Sequence, residues 1–321
     1  AVMIDSLKLR ASSYKGALFH LYGAMTQSLD NKHMAELGMM AKAGVVGFAN
    51  SLESVSNSLL MRRIMTYSKM LDKPIIHHCS DPYLSKDTDM NESETAIRLG
   101  LIGEPSIAET IILERDLNLV SLTGCRYHAA HISTASSIEA LRLAKRKGLP
   151  VTADTSPAYF LLNDKATADY NTSFRLNPPL RDEADRLAII DAIADGTIDA
   201  IASDHHPIEM DRKMLPFGQA ACGAAGVETL LPLAFSLFHT HSISLTKIVN
   251  ALSVAPAKTL CLPIPKLAIG TKANITIVKL SSSSVIRGSD FMSQSQITPF
   301  EHYLIDSKVA GCFVNGISVT S

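Results

Sequence analysis

Residues 127–155 read YHAAHISTASSIEALRLAKRKGLPVTADT, and this stretch decides the fold. A short, largely apolar run, Tyr127–Ile132, is followed by Ser136–Lys147, in which Ile138, Leu141 and Ala144 share one helical face and Arg142, Lys145 and Arg146 another. Gly148 is placed to end that helix in a left-handed turn. A second apolar run, Val151–Thr155, follows at once. The pattern is strand, helix, strand, with strands apolar enough to be buried on both faces of a parallel sheet. Working outward, further strands are expected at Ala17–Leu21, Val45–Phe48, Pro74–His78 and Ala200–Ser203. Helices are expected at Lys32–Lys42, Ser58–Met70, Ala108–Leu119 and Glu183–Ala194. Such alternation builds either a doubly wound sheet or a (β/α)8 barrel. Only six strands precede residue 205 and the chain opens inside a helical pattern, so the expected fold is an α/β TIM barrel without its first two strands. Beyond Ala257 the texture changes to short strands and turns, at Asn274–Lys279, Val309–Val314 and Ile317–Val319. The chain therefore divides into a barrel, residues 1–264, and part of a small β-sandwich, residues 265–321.

Composition narrows the function. Thirty Lys+Arg against 31 Asp+Glu, with only 19% charged residues, leave no basic footprint for nucleic acid or an anionic membrane surface. The densest apolar stretch, Val227 to Phe238, is about 12 residues long and carries Glu228, too short to span a bilayer. The opening AVMIDSLKLR lacks the layout of a signal peptide. Five scattered cysteines without a C-x-x-C pair argue against a disulfide framework and for a reducing, cytoplasmic setting.

In a barrel, polar residues at the C-terminal ends of strands face the active-site mouth. Three such places stand out: His77 and His78 followed by Cys79, Ser80 and Asp81; His131 followed by Ser133 and Thr134; and Ser203, Asp204, His205 and His206. Two imidazoles and a carboxylate from separate strands can converge on one divalent metal, and Zn²⁺ takes those donors readily. The carboxylate can then carry a proton to a leaving nitrogen. Strand alternation lets only one of His77 and His78 face inward, and parity alone does not choose between them. A single strand-end histidine is more often a hydrogen-bonded structural group, and three in register are what favour a site. His20 and His128 read as core or supporting groups, His33, His239, His241 and His302 as surface residues, and Cys79 as a packed thiol. Gly223–Gly226 reads as a close-packed turn. In Asn177-Pro178-Pro179-Leu180-Arg181 two prolines fix an extended loop that can hold out the Asn177 amide to a polar ligand.

These residues carry a resemblance to the dihydroorotases of the amidohydrolase superfamily, in their long bacterial form. It rests on His78-Cys79-Ser80-Asp81-Pro82, Met90-Asn91-Glu92, Ala130 to Thr134, Asn177 to Arg181 and Asp199 to His205. Pro216-Phe217, Gly226 to Thr229 and Thr298-Pro299-Phe300 extend it, so that it covers nearly the whole chain from about residue 15. The resemblance implies a zinc-dependent cyclic amidohydrolase interconverting N-carbamoyl-L-aspartate and dihydroorotate in pyrimidine synthesis. It implies His78 and His131 as zinc ligands, Asp204 as ligand and proton shuttle, Asn177 as a contact of the pyrimidine ring, and main-chain contacts from Ala221, Cys222 and Gly223. The family's H-x-H-x-R motif and the strand bearing a substrate Asn are absent from the sequence, so little or no turnover is expected of these 321 residues alone. Asn50 and Ser51 stand where many members have an acidic metal bridge, Ser156-Pro157-Ala158-Tyr159 replaces Thr-Pro-His-His, and Ile208 replaces a His that contacts the substrate carboxylate. Ile208 and the segment Asp211–Phe217 also resemble noncatalytic dihydroorotase-like subunits of aspartate carbamoyltransferase, which tend to lose the ligands kept here. That subunit role is the alternative reading, and hydantoinase-like activity a third. A homo-oligomer is expected, because an open barrel exposes strand edges.

Overall fold

The computed structural model describes residues 2–14 and 16–319. In chain order the first elements are α1 (Val2–Ser12), β1 (Tyr22–Gly23), α2 (Leu37–Lys42), β2 (Gly47–Phe48), α3 (Ser58–Met70) and β3 (Ile75–His78). There follow β4 (Met90–Asn91), α4 (Glu94–Leu99), β5 (Gly103–Glu104), α5 (Ile107–Thr123), β6 (Tyr127–Ala130), α6 (Ala135–Arg146), β7 (Val151–Thr155), α7 (Pro157–Leu161), α8 (Glu183–Asp195) and β8 (Ala200–Ile201). The main sheet has six strands in the order β1-β2-β3-β6-β7-β8, and its neighbours pair in parallel. This is the expected α/β barrel architecture, with six strands described.

Local chemistry sets the helix limits. The side chains of Asn57, Thr134 and Asp182 accept from the backbone N–H of Leu60, Ser137 and Asp185, which caps α3, α6 and α8. Gly124, Gly148 and Gly196 follow α5, α6 and α8 at positive φ, where glycine carries no Cβ penalty. The strands alternate as buried parallel strands must. Ile75, Tyr127, Ala129, Val151 and Ala153 join the large apolar cluster formed with the helices, while His78, His128 and Asp154 sit on the other, barrel-side face. No helix among the described residues is long and apolar enough to cross a membrane.

Three expectations need correction. The run Ala17–Leu21 is not a strand: pairing begins at Tyr22, and His20 is exposed rather than a core group. The helix expected from Lys32 starts only at Leu37, because Asp30 accepts from the N–H groups of Lys32 and His33 at 2.9 and 3.0 Å and holds that segment in a turn. Strand β8 ends at Ile201 rather than Ser203, just before the chain swings left-handed at Asp204 (φ 46°).

Past α8 the chain adds short helices at Leu230–His241, Leu245–Val249 and Ala255–Thr259. Residues 265–319 hold a three-stranded antiparallel sheet of Ile275–Lys279, Lys308–Val314 and Ile317–Ser318, and a two-stranded one of Ser284–Val285 and Leu304–Ile305. Between the strands of the smaller sheet, Ile286 and Phe300 pack into a second apolar cluster with Tyr159, Leu176, Leu180 and Leu233. The C-terminal segment is thereby anchored beside the mouth of the barrel.

Candidate active site

His78 closes β3 and lies in register with Ala130 of β6, so its ring emerges where the next residue, His131, leaves the sheet. The two imidazoles face each other with ring centroids 5.6 Å apart. His131 takes a left-handed backbone (φ 59°) and its Nε2 lies 3.6 Å from Oδ1 of Asp204, itself at φ 46°. For residues with a Cβ these are costly conformations that surrounding contacts must impose. His77 and His78 part company as strand alternation requires. His77 turns into the helical layer, where its Nδ1 meets Asp116 at 2.6 Å and its Nε2 accepts the N–H of Val55 at 2.9 Å.

The electrostatics follow from burial. His78 is buried, which drives its pKa down to about 3, and the nearby His131 and His77 act in the same sense. It is neutral at physiological pH. The Asn177 amide, close to the ring, opposes that shift without a hydrogen bond of ordinary geometry. Burial pushes the Asp204 carboxyl above the usual carboxylate range, while His131 pulls it back.

The donor set suits a divalent metal. Both ring nitrogens of His78 and Nδ1 of His131 are buried without a hydrogen-bond partner. Leaving such groups unpaired costs about 1–3 kcal/mol each. Two imidazoles and a carboxylate brought to neighbouring strand ends are the nitrogen and oxygen donors that zinc accepts. Among the described residues, the group whose potential ligand atoms all lie within 4.8 Å of one another is a different one, His77, Cys79 and Asp116. There, however, the partners are already taken: Tyr127 donates to Asp116 at 2.8 Å and lies 3.1 Å from the Cys79 sulfur, and Arg115 pairs with Asp116 at 2.7 Å. Burial also pushes the Cys79 thiol up, away from the thiolate a metal needs. That cluster reads as a hydrogen-bonded brace.

The remaining singled-out residues are spread around the mouth. Asn177 flanks His78, and the carbonyl of Pro178 accepts the Tyr159 hydroxyl at 3.0 Å. The N–H groups of Ala221 and Gly223 are already donated to the carbonyls of Arg212 and Arg175 at 3.0 Å, which leaves the Cys222 N–H and the segment's carbonyls without a main-chain partner among the described residues. Gly223 sits at φ 123° with His206 against it, and a Cβ on Gly226 would lie 2.3 Å from the Ser203 carbonyl, so the Gly-rich stretch is a tight turn. Asn50 is buried and fully engaged: its Oδ1 accepts from Met25 and Thr26, and its Nδ2 donates to Thr26 and Asn31. Ile208 is buried in the wall of a cavity of about 580 Å³ lined also by His205, Pro207, Glu209 and Met210. His205 and His206 are exposed.

Two supporting groups escaped the sequence reading. Arg181, 3% exposed, reaches Glu104 at 2.8 Å, Asn91 at 3.1 Å and Ser133 at 3.1 Å, tying the Asn177 loop to the turn after His131. Asp154 touches both His128 and the His131 backbone. The signal for each was a charged residue inside an otherwise apolar strand or loop, since such groups are buried only when paired.

A barrel with two imidazoles and a carboxylate at the C-terminal ends of its strands defines a hydrolase of the metal-dependent barrel class. Solved structures agree on the fold. An L-hydantoinase (dihydropyrimidinase) from Arthrobacter aurescens matches with a TM-score of 0.85 at 22% identity, over 99% of this chain and 74% of that one. A D-hydantoinase gives 0.83 at 17% identity, over 99% and 73%. The model of the "Dihydro-orotase-like" family matches residues 7–137. A dihydroorotase of Syntrophus aciditrophicus (strain SB) is 38% identical over 299 residues, 92% of this chain and 70% of that protein. One of Desulforapulum autotrophicum is 40% identical over 294 residues, 92% and 69% respectively. The chain belongs to the dihydroorotase family.

Proposed function

We propose that this protein is a dihydroorotase, a hydrolase of cyclic amides, whose centre is built on His78, His131 and Asp204. The observation that carries the assignment is the pairing of the His78 and His131 rings, centroids 5.6 Å apart with three of their nitrogens buried and unpartnered, while Nε2 of His131 lies 3.6 Å from the Asp204 carboxylate. The metal we propose is zinc, held by His78, His131 and Asp204. Bound there, a divalent ion supplies a Lewis acid and lowers the pKa of water. The chain's own groups do the rest. Asp204, harder to ionise because it is buried, takes the proton of the attacking water and passes it to the ring nitrogen released when the cyclic amide opens. In the opposite direction the same carboxylate removes a proton from the carbamoyl nitrogen of N-carbamoyl-L-aspartate as that nitrogen bonds to the side-chain carboxyl carbon, and delivers it to the oxygen that leaves that carbon as water. Asn177, beside His78, offers both a donor and an acceptor to the ring's amide edge. With the Asn50 amide spent on its own neighbours, a single metal fits the donors better than a bridged pair.

The competing reading, a noncatalytic subunit of aspartate carbamoyltransferase, would not need to keep these three donors together. Curated relatives at 37–40% identity are named dihydroorotases, which favours catalysis. For its setting we propose de novo pyrimidine synthesis in the cytoplasm, where the five free thiols stay reduced, and a homo-oligomeric state. The test is zinc content together with dihydroorotate hydrolysis on one preparation in which these residues are joined to an H-x-H-x-R strand of the family. Expected are about one zinc per chain and turnover that falls at least a hundredfold in D204N and in H78A. Zinc-free, inactive protein that co-purifies with a carbamoyltransferase would favour the subunit role instead.

A further inference from the structure

We propose that Asp154 is the positioning residue that sets the His131 ring, by holding two successive amides of the turn that carries it. The proposal rests on His131 being a metal ligand and adds the group that aims it.

The backbone around His131 leaves the sheet abruptly. Strand β6 ends at Ala130, and His131 adopts φ 59°, a region that side chains with a Cβ enter only under constraint. The constraint comes from one residue of the neighbouring strand. Oδ1 of Asp154 accepts the N–H of His131 at 2.8 Å, and the main-chain carbonyl of Asp154 accepts the N–H of Ile132 at 2.9 Å. The Thr155 hydroxyl then donates to the Ile132 carbonyl at 2.8 Å and closes the turn. In a regular parallel strand these amides would continue the ladder. Here the side chain of Asp154 replaces one rung, so the chain can twist and present the imidazole toward His78 and Asp204.

The other carboxylate oxygen is fixed as well. His128, two residues earlier in register with Thr152, meets Oδ2 of Asp154 through Nε2 at 2.8 Å, while its Nδ1 meets the Thr152 hydroxyl at 2.8 Å. With the threonine hydroxyl donating to Nδ1, Nε2 carries the hydrogen toward the carboxylate. Asp154 is 7% exposed and His128 6%, so neither oxygen is free to rotate to water. A buried carboxylate locked at both oxygens is a rigid support, the kind of contact that fixes ligand direction around metal sites.

This reading separates geometry from charge. An Asn at 154 keeps an oxygen for the His131 amide, and His128 can meet the new NH₂ by changing tautomer. A Glu keeps the charge but its longer arm moves the acceptor. The experiment is titration of the metal-free full chain with cobalt(II) chloride, reading affinity by competition with a chromophoric chelator and ligand geometry from the visible d–d bands. D154A is expected to bind cobalt about 10- to 100-fold more weakly with shifted bands, D154N to stay within about threefold with unchanged bands, and D154E to resemble D154A. Should D154A fail to fold, the ranking of D154N above D154E carries the test. Equal cobalt binding in all the folded variants, or D154E above D154N, would overturn the proposal. The unsubstituted protein and H78A keep it apart from the site assignment: an unsubstituted chain without d–d bands, or an H78A variant with them unchanged, refutes the metal centre itself.

Discussion

At the scale of single residues, the site depends on groups held against their solvation preference. Arg181 is the plainest case. It is buried against Glu104, whose carboxyl burial already pushes upward, and it also donates to Asn91 and Ser133. Removing one partner of such a pair leaves a buried charge uncompensated, at a cost of about 3–5 kcal/mol. R181M should therefore lower the urea midpoint steeply, and R181M combined with E104Q should recover at least half of the loss. A double variant no better than R181M alone would mean that the pair is not what stabilises the loop. Asp185 gives a prediction in pH. Burial, with Asp182 adding to it, raises its pKa to about 6, against the hydrogen bond it accepts from the Ala135 N–H at 2.7 Å. Since the folded value lies above the unfolded one, its contribution to stability is complete below about pH 4 and is lost as pH rises through 6. Asn keeps the acceptor without the charge, so D185N should match the parent near pH 4 and exceed it at pH 7.5. After allowance for partial exposure the gain is about 1 kcal/mol. Chemical unfolding of both proteins at the two pH values measures it, and a constant difference would refute the assignment.

At the scale of elements, the turn after His131 shows how helices and strands share the work. Glu109 of α5, 2% exposed, accepts from the backbone N–H and hydroxyl groups of both Ser133 and Thr134, at 2.5 to 3.3 Å. Thr134 in turn caps α6 by accepting the Ser137 N–H. One hydroxyl thus joins α5, α6 and the turn that bears the imidazole. T134S should be neutral to within about 0.5 kcal/mol, whereas T134V, which loses both the donor and the cap, should cost about 1–2 kcal/mol in denaturant unfolding. Much of this level was legible from sequence. The limits of α3 and β7 and nearly those of α6 and α8 follow from caps, periodicity and glycine stops. What escaped is instructive. The two-residue strands β4 and β5 pair only with each other and have too little length to show a pattern. Ala17–Leu21 looks like a strand, but its first four residues are exposed, because pairing partners rather than apolar content decide where a strand begins. The choice between His77 and His78, undecidable by parity, was settled by Asp116, a residue 39 positions away that no local pattern connects to it.

At the scale of the whole molecule, the question is whether the C-terminal segment is a separate unit or part of the frame of the site. We propose residues 1–264 and 265–321 as the two segments of the chain, and the contacts across that boundary bear on how they unfold. Phe300, 4% exposed, packs edge-on against Tyr303 with centroids 5.7 Å apart and shares an apolar cluster with Tyr159 and Leu180. Tyr159 is the residue whose hydroxyl holds the Pro178 carbonyl beside Asn177. Polar contacts run the same way: Glu228 accepts the N–H groups of Met292 and Ser293 at 2.9 Å, and the Ser295 hydroxyl donates to the Ile208 carbonyl at 2.7 Å. The segment is therefore a wall of the mouth, coupled to the Asn177 loop through one aromatic cluster. Truncating a buried Phe in such a cluster costs about 3–5 kcal/mol. F300A should then lower stability by that amount in a single cooperative transition, with tyrosine fluorescence and far-ultraviolet circular dichroism moving together. Because the lost ring belongs to the same apolar cluster as Tyr159, cobalt affinity in the folded variant should change less than affinity for dihydroorotate, which depends on where the Asn177 loop stands. Two separate transitions in F300A, the first confined to the strands beyond residue 265, would show that the segment unfolds on its own and that the coupling is too weak to shape the site.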